Sequence, residues 1–163
     1  MSAVAAKAPR TRRTQGALFL LGAVIIFFLL GDDPARFAEL PLAVGVVYLA
    51  AAVAGGRGGG HWATATTLIG FGLAVLAVRE GWVDWGSAPA YLVGFGAGAL
   101  AAAVLERKGF DATLGGVAVT ALATGLIFAL EPDVTAFGDA RYYALALAVV
   151  GAVNLALAEA RGR

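Results

Sequence analysis

The sequence predicts an all-α, polytopic membrane protein: six transmembrane helices arranged as three parallel-repeat helical hairpins. Three observations carry that expectation. Of 163 residues, 60% are hydrophobic and only 14% charged, whereas a soluble domain carries roughly a quarter charged residues. The mean hydropathy is +0.82. Six apolar stretches follow one another, and the loops between them alternate in charge sign.

The predicted spans are 16–30, 40–54, 62–78, 89–105, 112–130 and 142–158. A hydrocarbon core of about 30 Å takes about 20 helical residues, so each stretch is near the required length. The second is short and can recruit Gly55 and Gly56 or thin the bilayer locally. Helices are expected because the backbone inside lipid must satisfy its own hydrogen bonds, and a barrel would need alternating strands.

Flanking the spans, residues 1–15 read as a basic cytoplasmic tail and 159–163 as a short cytoplasmic C-terminal tail. With the N-terminus inside, nine basic residues fall on the cytoplasmic side: Lys7, Arg10, Arg12, Arg13, Arg57, Arg107, Lys108, Arg161 and Arg163. Only Arg36, Arg79 and Arg141 fall outside, beside eight acids: Asp32, Asp33, Glu39, Glu80, Asp84, Glu131, Asp133 and Asp139. The positive-inside rule then places both termini in the cytoplasm. Arginine outnumbers lysine ten to two, and Ala and Gly dominate, a bias that GC-rich bacterial genomes produce. The expected location is a bacterial inner membrane.

The first span imitates a signal peptide, but Leu29-Gly31-Asp32 offers no small-x-small cleavage site. Arg12-Arg13 imitates a twin-arginine signal, yet Thr14 and Gln15 stand where that signal requires an apolar residue. An uncleaved, lipid-facing first helix is the expectation, with Phe27 and Phe28 toward the acyl chains.

An internal repeat is expected as well. Tyr91 matches Tyr143 at a period near 52, and the first unit joins through Gly45 against Gly94 and Arg57 against Arg107. All three hairpins run in the same direction. They are therefore parallel repeats, unlike the inverted repeats of many secondary transporters.

Small residues mark the predicted helix contacts. Gly94, Gly98 and Ala102 share one face of the fourth span, Gly116, Thr120 and Thr124 one face of the fifth, and Gly151, Asn154 and Ala158 one face of the sixth. Such residues let backbones approach closely. Helix packing is the ordinary reading. The sharper one is a narrow polar path lined by Thr64, Thr67, Thr120, Thr124 and Asn154. No acid or base lies inside a span, which argues against a proton relay, a voltage sensor or an ion-coupled carrier.

Other features read as ordinary. The acidic outer loops could offer oxygen ligands to a hard cation, but a solvated rim is expected and no metal site is assigned. Trp82 and Trp85 fit the aromatic belt at headgroup level. His61 is an interfacial anchor, with a pH sensor as the alternative. The run Gly55-Gly56-Arg57-Gly58-Gly59-Gly60 lacks the Gly-Lys-Ser/Thr ending of a phosphate loop and reads as a flexible hinge. Cysteine is absent, so thiol chemistry and disulfides are excluded. Asp32-Asp33-Pro34-Ala35-Arg36 touches the opening of the CDP-alcohol phosphotransferase motif, but the following span has no acid. No cofactor and no catalytic residue is assigned.

The layout resembles the HdeD-like acid-resistance membrane proteins of bacteria, through Gly22, Pro34 and Gly45 in the first hairpin, Trp62, Gly70 and Gly94 in the second, and Gly125, Pro132 and Gly151 in the third. That resemblance implies three outward-then-inward hairpins and a stress-associated role, and it transfers no functional residue. The six-helix urea and amide channels share the hairpin count, but their paired aromatic constrictions are not visible. The expected function is a non-enzymatic integral membrane protein, stress-associated or an accessory subunit of a membrane complex. The alternative is a passive channel or transporter for a small neutral solute. The expected partners are the lipid bilayer and another membrane protein or further copies of this chain, with no nucleic acid.

Overall fold

A computed structural model describes residues 9–31, 34–84, 86–113, 115–122 and 139–160. These residues form helix α1 (Pro9–Leu30), a 3₁₀ turn (Pro34–Glu39), α2 (Leu40–Gly55), α3 (Trp62–Arg79) and α4 (Ser87–Arg107). Helix α5 is described over 115–122, and α6 runs over Ala140–Ala160. No strand occurs among the described residues. The second half of the predicted fifth span, with Thr124 and Gly125, lies outside them, as do Asp32, Asp33, Trp85, Glu131, Pro132 and Asp133.

Five of the helices are long and apolar enough to cross a membrane. Most run longer than the hydrophobic stretches alone predicted. Helix α1 begins at Pro9 rather than Gly16, because proline suits a first helical turn and nothing between Arg10 and Gln15 breaks a helix. The basic residues Arg10, Arg12 and Arg13 are therefore helical. Helix α3 ends in a Schellman cap: Gly81 at φ 69° donates its N–H to the Val78 carbonyl, and Trp82 donates to Ala77. Helix α4 ends the same way, with Gly109 donating to Glu106 and Phe110 to Leu105.

Helix α1 packs against both α2 and α6, and α3 packs against both α2 and α4. The first helix is thus not simply lipid-facing. Phe19, Ala23, Ile26 and Leu30 recur at i, i+4, i+7 and i+11 and are buried, while Phe28 on the opposite side is 71% exposed. The core continues through Leu40 and Ala51 of α2 and Ala140, Ala144 and Leu147 of α6. A smaller cluster joins Ala63, Ala102 and Ala112.

Element boundaries recur along the chain. Residues 9, 62 and 115 are all helical. Helices α4 and α6 start 53 residues apart, at Ser87 and Ala140.

Candidate polar and packing site

The closest helix contacts are made by glycines. A Cβ on Gly70 of α3 would strike the Gly94 carbonyl oxygen and the Gly98 Cα of α4, and one on Gly98 would strike the Thr66 carbonyl and Thr67 Cα. Those obstacles are backbone atoms, which cannot rotate away. Ala102, one turn further along α4, is buried. Gly151 of α6 meets the Gly16 carbonyl oxygen of α1 in the same manner, at 3.0 Å from its would-be Cβ. Gly116 of α5 faces Ala63 of α3 more loosely, again at 3.0 Å but against a single methyl.

The threonines follow the glycines. Thr67 is fully buried and donates to the Ala63 carbonyl at 2.7 Å. Thr120 donates to the Gly116 carbonyl at 2.8 Å, and its oxygen lies 3.3 Å from the Thr64 hydroxyl. Its single proton being used, Thr64 is the donor in that pair. Three of the sequence-predicted residues, Thr64, Thr67 and Thr120, thus gather on α3 and α5 around the Ala63 position.

Asn154 is not brought to them by any contact of this kind. It sits on α6, the helix that packs on α1, and donates to the Val150 carbonyl of its own helix at 2.9 Å. Polar side chains that bond back to their own helix satisfy themselves within one or two turns.

A side chain that sequence reading placed in the N-terminal tail is, with Thr67, one of two fully buried polar groups among the described residues. Gln15 is wholly enclosed, and its amide donates to the Ala51 carbonyl at 2.8 Å and to the Gly59 carbonyl at 3.0 Å. It ties α1 to the end of α2 and to the following glycine loop. Trp62 Nε1 donates to the Gly56 carbonyl at 3.0 Å, and the Asp111 N–H donates to the Arg57 carbonyl at 2.7 Å. The Gly55–Gly60 run is accordingly a pinned loop rather than a flexible hinge. Its glycines permit positive φ, at Gly56 and Gly60, and a close approach of Gly59 to the Gly55 backbone.

His61 follows at φ 68°. Its ring stands edge-on to Phe19 at 5.2 Å and to Tyr48 at 5.7 Å. It is thus packed among aromatic rings of α1 and α2. The Arg57 guanidinium lies over the Phe110 ring at 5.3 Å, and Phe110 in turn meets Trp62 edge-on at 4.9 Å. The signal that could have found Gln15 was the uninterrupted helix propensity from Pro9 onward, which extends the first helix about two turns past the hydropathy limit.

At the opposite end, Glu39 lies 3.5 Å from Arg36 and 3.4 Å from Arg79. Arg79 also reaches Glu80 at 3.7 Å. Beside this row, α2 and α3 line a cavity of about 400 Å³, next to the close approach of Gly72 to the Leu42 backbone. Among the described residues no group of three or more His, Asp or Glu side chains converges on a metal position.

Leu92 is 74% exposed and Val119 69% exposed, in company with many other large apolar side chains. Such a surface suits lipid and not water. With five long apolar helices, it defines an all-α protein of the membrane-spanning class. Compared with known proteins, the chain matches no family model, no curated protein and no solved structure.

Proposed function

We propose a non-enzymatic integral membrane protein, a packing scaffold that serves as an accessory subunit of a bacterial inner-membrane complex. The observation that carries this reading is where the polar side chains of the spans direct their hydrogen bonds. Thr67, Thr120 and Asn154 donate to carbonyls of their own helices, and Thr64 pairs with Thr120. A conducting path needs donors and acceptors free to face a lumen, whereas these groups make their hydrogen bonds within the bundle itself, with Thr67 and Thr120 buried. The stress-associated role implied by the resemblance to HdeD-like proteins is compatible with such a subunit.

The scaffold is three copies of one hairpin, all six helices crossing the bilayer with both termini cytoplasmic. The register that supports this is 53 residues, which pairs Gly45 with Gly98 and Gly151, where the looser alignment had set Gly45 against Gly94. Thr14, Thr67 and Thr120 keep the same interval, and each bonds the carbonyl four residues back, Arg10, Ala63 and Gly116. Gly45 meets Ile69 across α2 and α3, and Gly151 meets Gly16 across α6 and α1. Those two contacts correspond under the interval, so the third hairpin meets the first as the first meets the second. The nine-to-three division of basic residues supports the orientation.

Two measurements test the reading. Liposomes carrying the purified chain are expected to take up urea and glycerol no faster than protein-free liposomes. Protein-dependent uptake that Thr64→Val and Asn154→Leu abolish would replace the scaffold with a passive path. Native mass spectrometry of gently extracted material is expected to show a complex with a different protein. For the repeat, a circular permutant opened at Gly58 and joined through its old termini should fold like the parent. Failure of that permutant, with its helices intact in separate halves, would remove the proposed correspondence between the contacts of the three hairpins.

A further inference from the structure

We infer that the cavity between the start of α2 and the end of α3 is a binding site for a zwitterionic phospholipid whose headgroup carries a primary ammonium. The inference rests on the membrane-spanning class alone and is independent of the scaffold reading.

The cavity has two halves of different chemistry. Its floor is apolar, made by Leu42 and Ala43 of α2 and Leu76 of α3. Its rim is charged, made by Glu39, Arg79 and Glu80. Trp82 stands at the edge, 75% exposed, where a tryptophan marks headgroup depth. The floor continues toward the bilayer interior along side chains one turn away. Val46 follows Leu42 on α2, Leu73 precedes Leu76 on α3, and both are about half exposed. An acyl chain laid against Leu42, Val46, Leu73 and Leu76 would therefore lead directly up to the charged rim.

The rim selects the headgroup. Arg36, Glu39, Arg79 and Glu80 form a row of alternating sign, with neighbours 3.5, 3.4 and 3.7 Å apart. A purely anionic headgroup would gain from the arginines and be repelled by two carboxylates. A dipolar headgroup matches both signs at once. Glu39 is shared between two guanidinium groups, whereas Glu80 meets only Arg79 in this row and its side chain is 51% exposed. The ammonium accordingly belongs at Glu80. The phosphate belongs at Arg79, whose guanidinium has five N–H donors and engages the two carboxylates through Nη1 and Nε. A primary ammonium donates charge-assisted hydrogen bonds to Glu80, and a quaternary one cannot. The volume of about 400 Å³ falls in the range of small-molecule sites.

The test uses the full chain, delipidated in mild detergent and offered equimolar phosphatidylethanolamine, phosphatidylcholine and phosphatidylglycerol with identical acyl chains. Native mass spectrometry then reads which lipid survives activation. The expected result is one retained phosphatidylethanolamine, favoured about tenfold over the other two, the scale of one charge-assisted hydrogen bond. Glu80→Gln should equalise phosphatidylethanolamine and phosphatidylcholine. Leu76→Trp should fill the floor and abolish retention, while Leu100→Trp, on an exposed face of α4, should leave it unchanged. Equal retention of phosphatidylglycerol, a preference that survives Glu80→Gln, or no retained lipid would each overturn the site. If Leu76→Trp fails to fold, Glu80→Gln decides alone.

Discussion

At the glycine-loop end of the bundle, three stretches of chain are tied together through backbone carbonyls. Gln15 reaches Ala51 and Gly59, Trp62 reaches Gly56 and Asp111 reaches Arg57. At the acidic-loop end, a cavity of about 400 Å³ lies beside the close backbone contact of Leu42 with Gly72, and the ties include Arg36 donating to the Leu29 carbonyl and ion pairs between side chains a third to a half exposed. The two Gln15 bonds are buried, and neither can be lost without leaving its carbonyl unpaired. A half-exposed ion pair exchanges readily and is screened by salt. The Gln15 end is therefore held by buried bonds to backbone, and the rim of the cavity by exchangeable ion pairs.

The contrast can be broken most strongly where the two ends are joined. Gly70→Leu forces a side chain into the Gly94 and Gly98 backbone, and the α3–α4 seam should lose about 3 kcal/mol or more. Reversible unfolding in mixed micelles measures this, and a loss under about 1 kcal/mol would show that the seam can part without penalty. Next in size is the Gln15 end. Gln15→Ala strands two carbonyls and should destabilise by about 2 kcal/mol. It should also raise hydrogen exchange at Gly56–His61, whereas an unchanged exchange rate would return that loop to the hinge predicted from composition.

Smaller effects sharpen the comparison. Thr120→Val removes one intramembrane hydrogen bond pair and should cost about 0.6 kcal/mol, read by the same unfolding experiment. A loss several times larger would mean that the threonine cluster is a keystone and not local self-bonding. Smallest of all, Glu39→Gln breaks two ion pairs yet should change stability by under about 1 kcal/mol, with the difference vanishing at high salt. A salt-independent loss would put the rim of the cavity in the same class as the Gln15 end.

Hydropathy and charge made the helices legible to within a few residues. Leu40 and Trp62 begin α2 and α3 at the positions predicted, since a proline in the first turn and a glycine run before it punctuate the chain locally. Gly94, Gly98 and Gly151 were legible as contact candidates because spacing alone puts small residues on one face. Their partners were not. Gly94 packs within its own hairpin on Gly70, while Gly45 packs across to Ile69 of the next, and nothing in one helix specifies which neighbour its smooth face will meet. Gln15 was missed for a related reason. Its polarity reads as solvent exposure until Ala51 and Gly59 are seen to supply acceptors from 36 and 44 residues away.

The sequence by itself determined what each segment must be in a bilayer. Apolar length sets a span, backbone self-satisfaction makes it a helix, and glycines with positive φ end it. Only the tertiary structure decided the neighbours: α6 against α1, the threonines of α3 and α5 against each other, and the cavity that α2 and α3 line beneath a row of alternating charge. Segment identity follows from local interactions between each residue and its solvent. Adjacency follows from which backbones can approach most closely, and that depends on all the faces together.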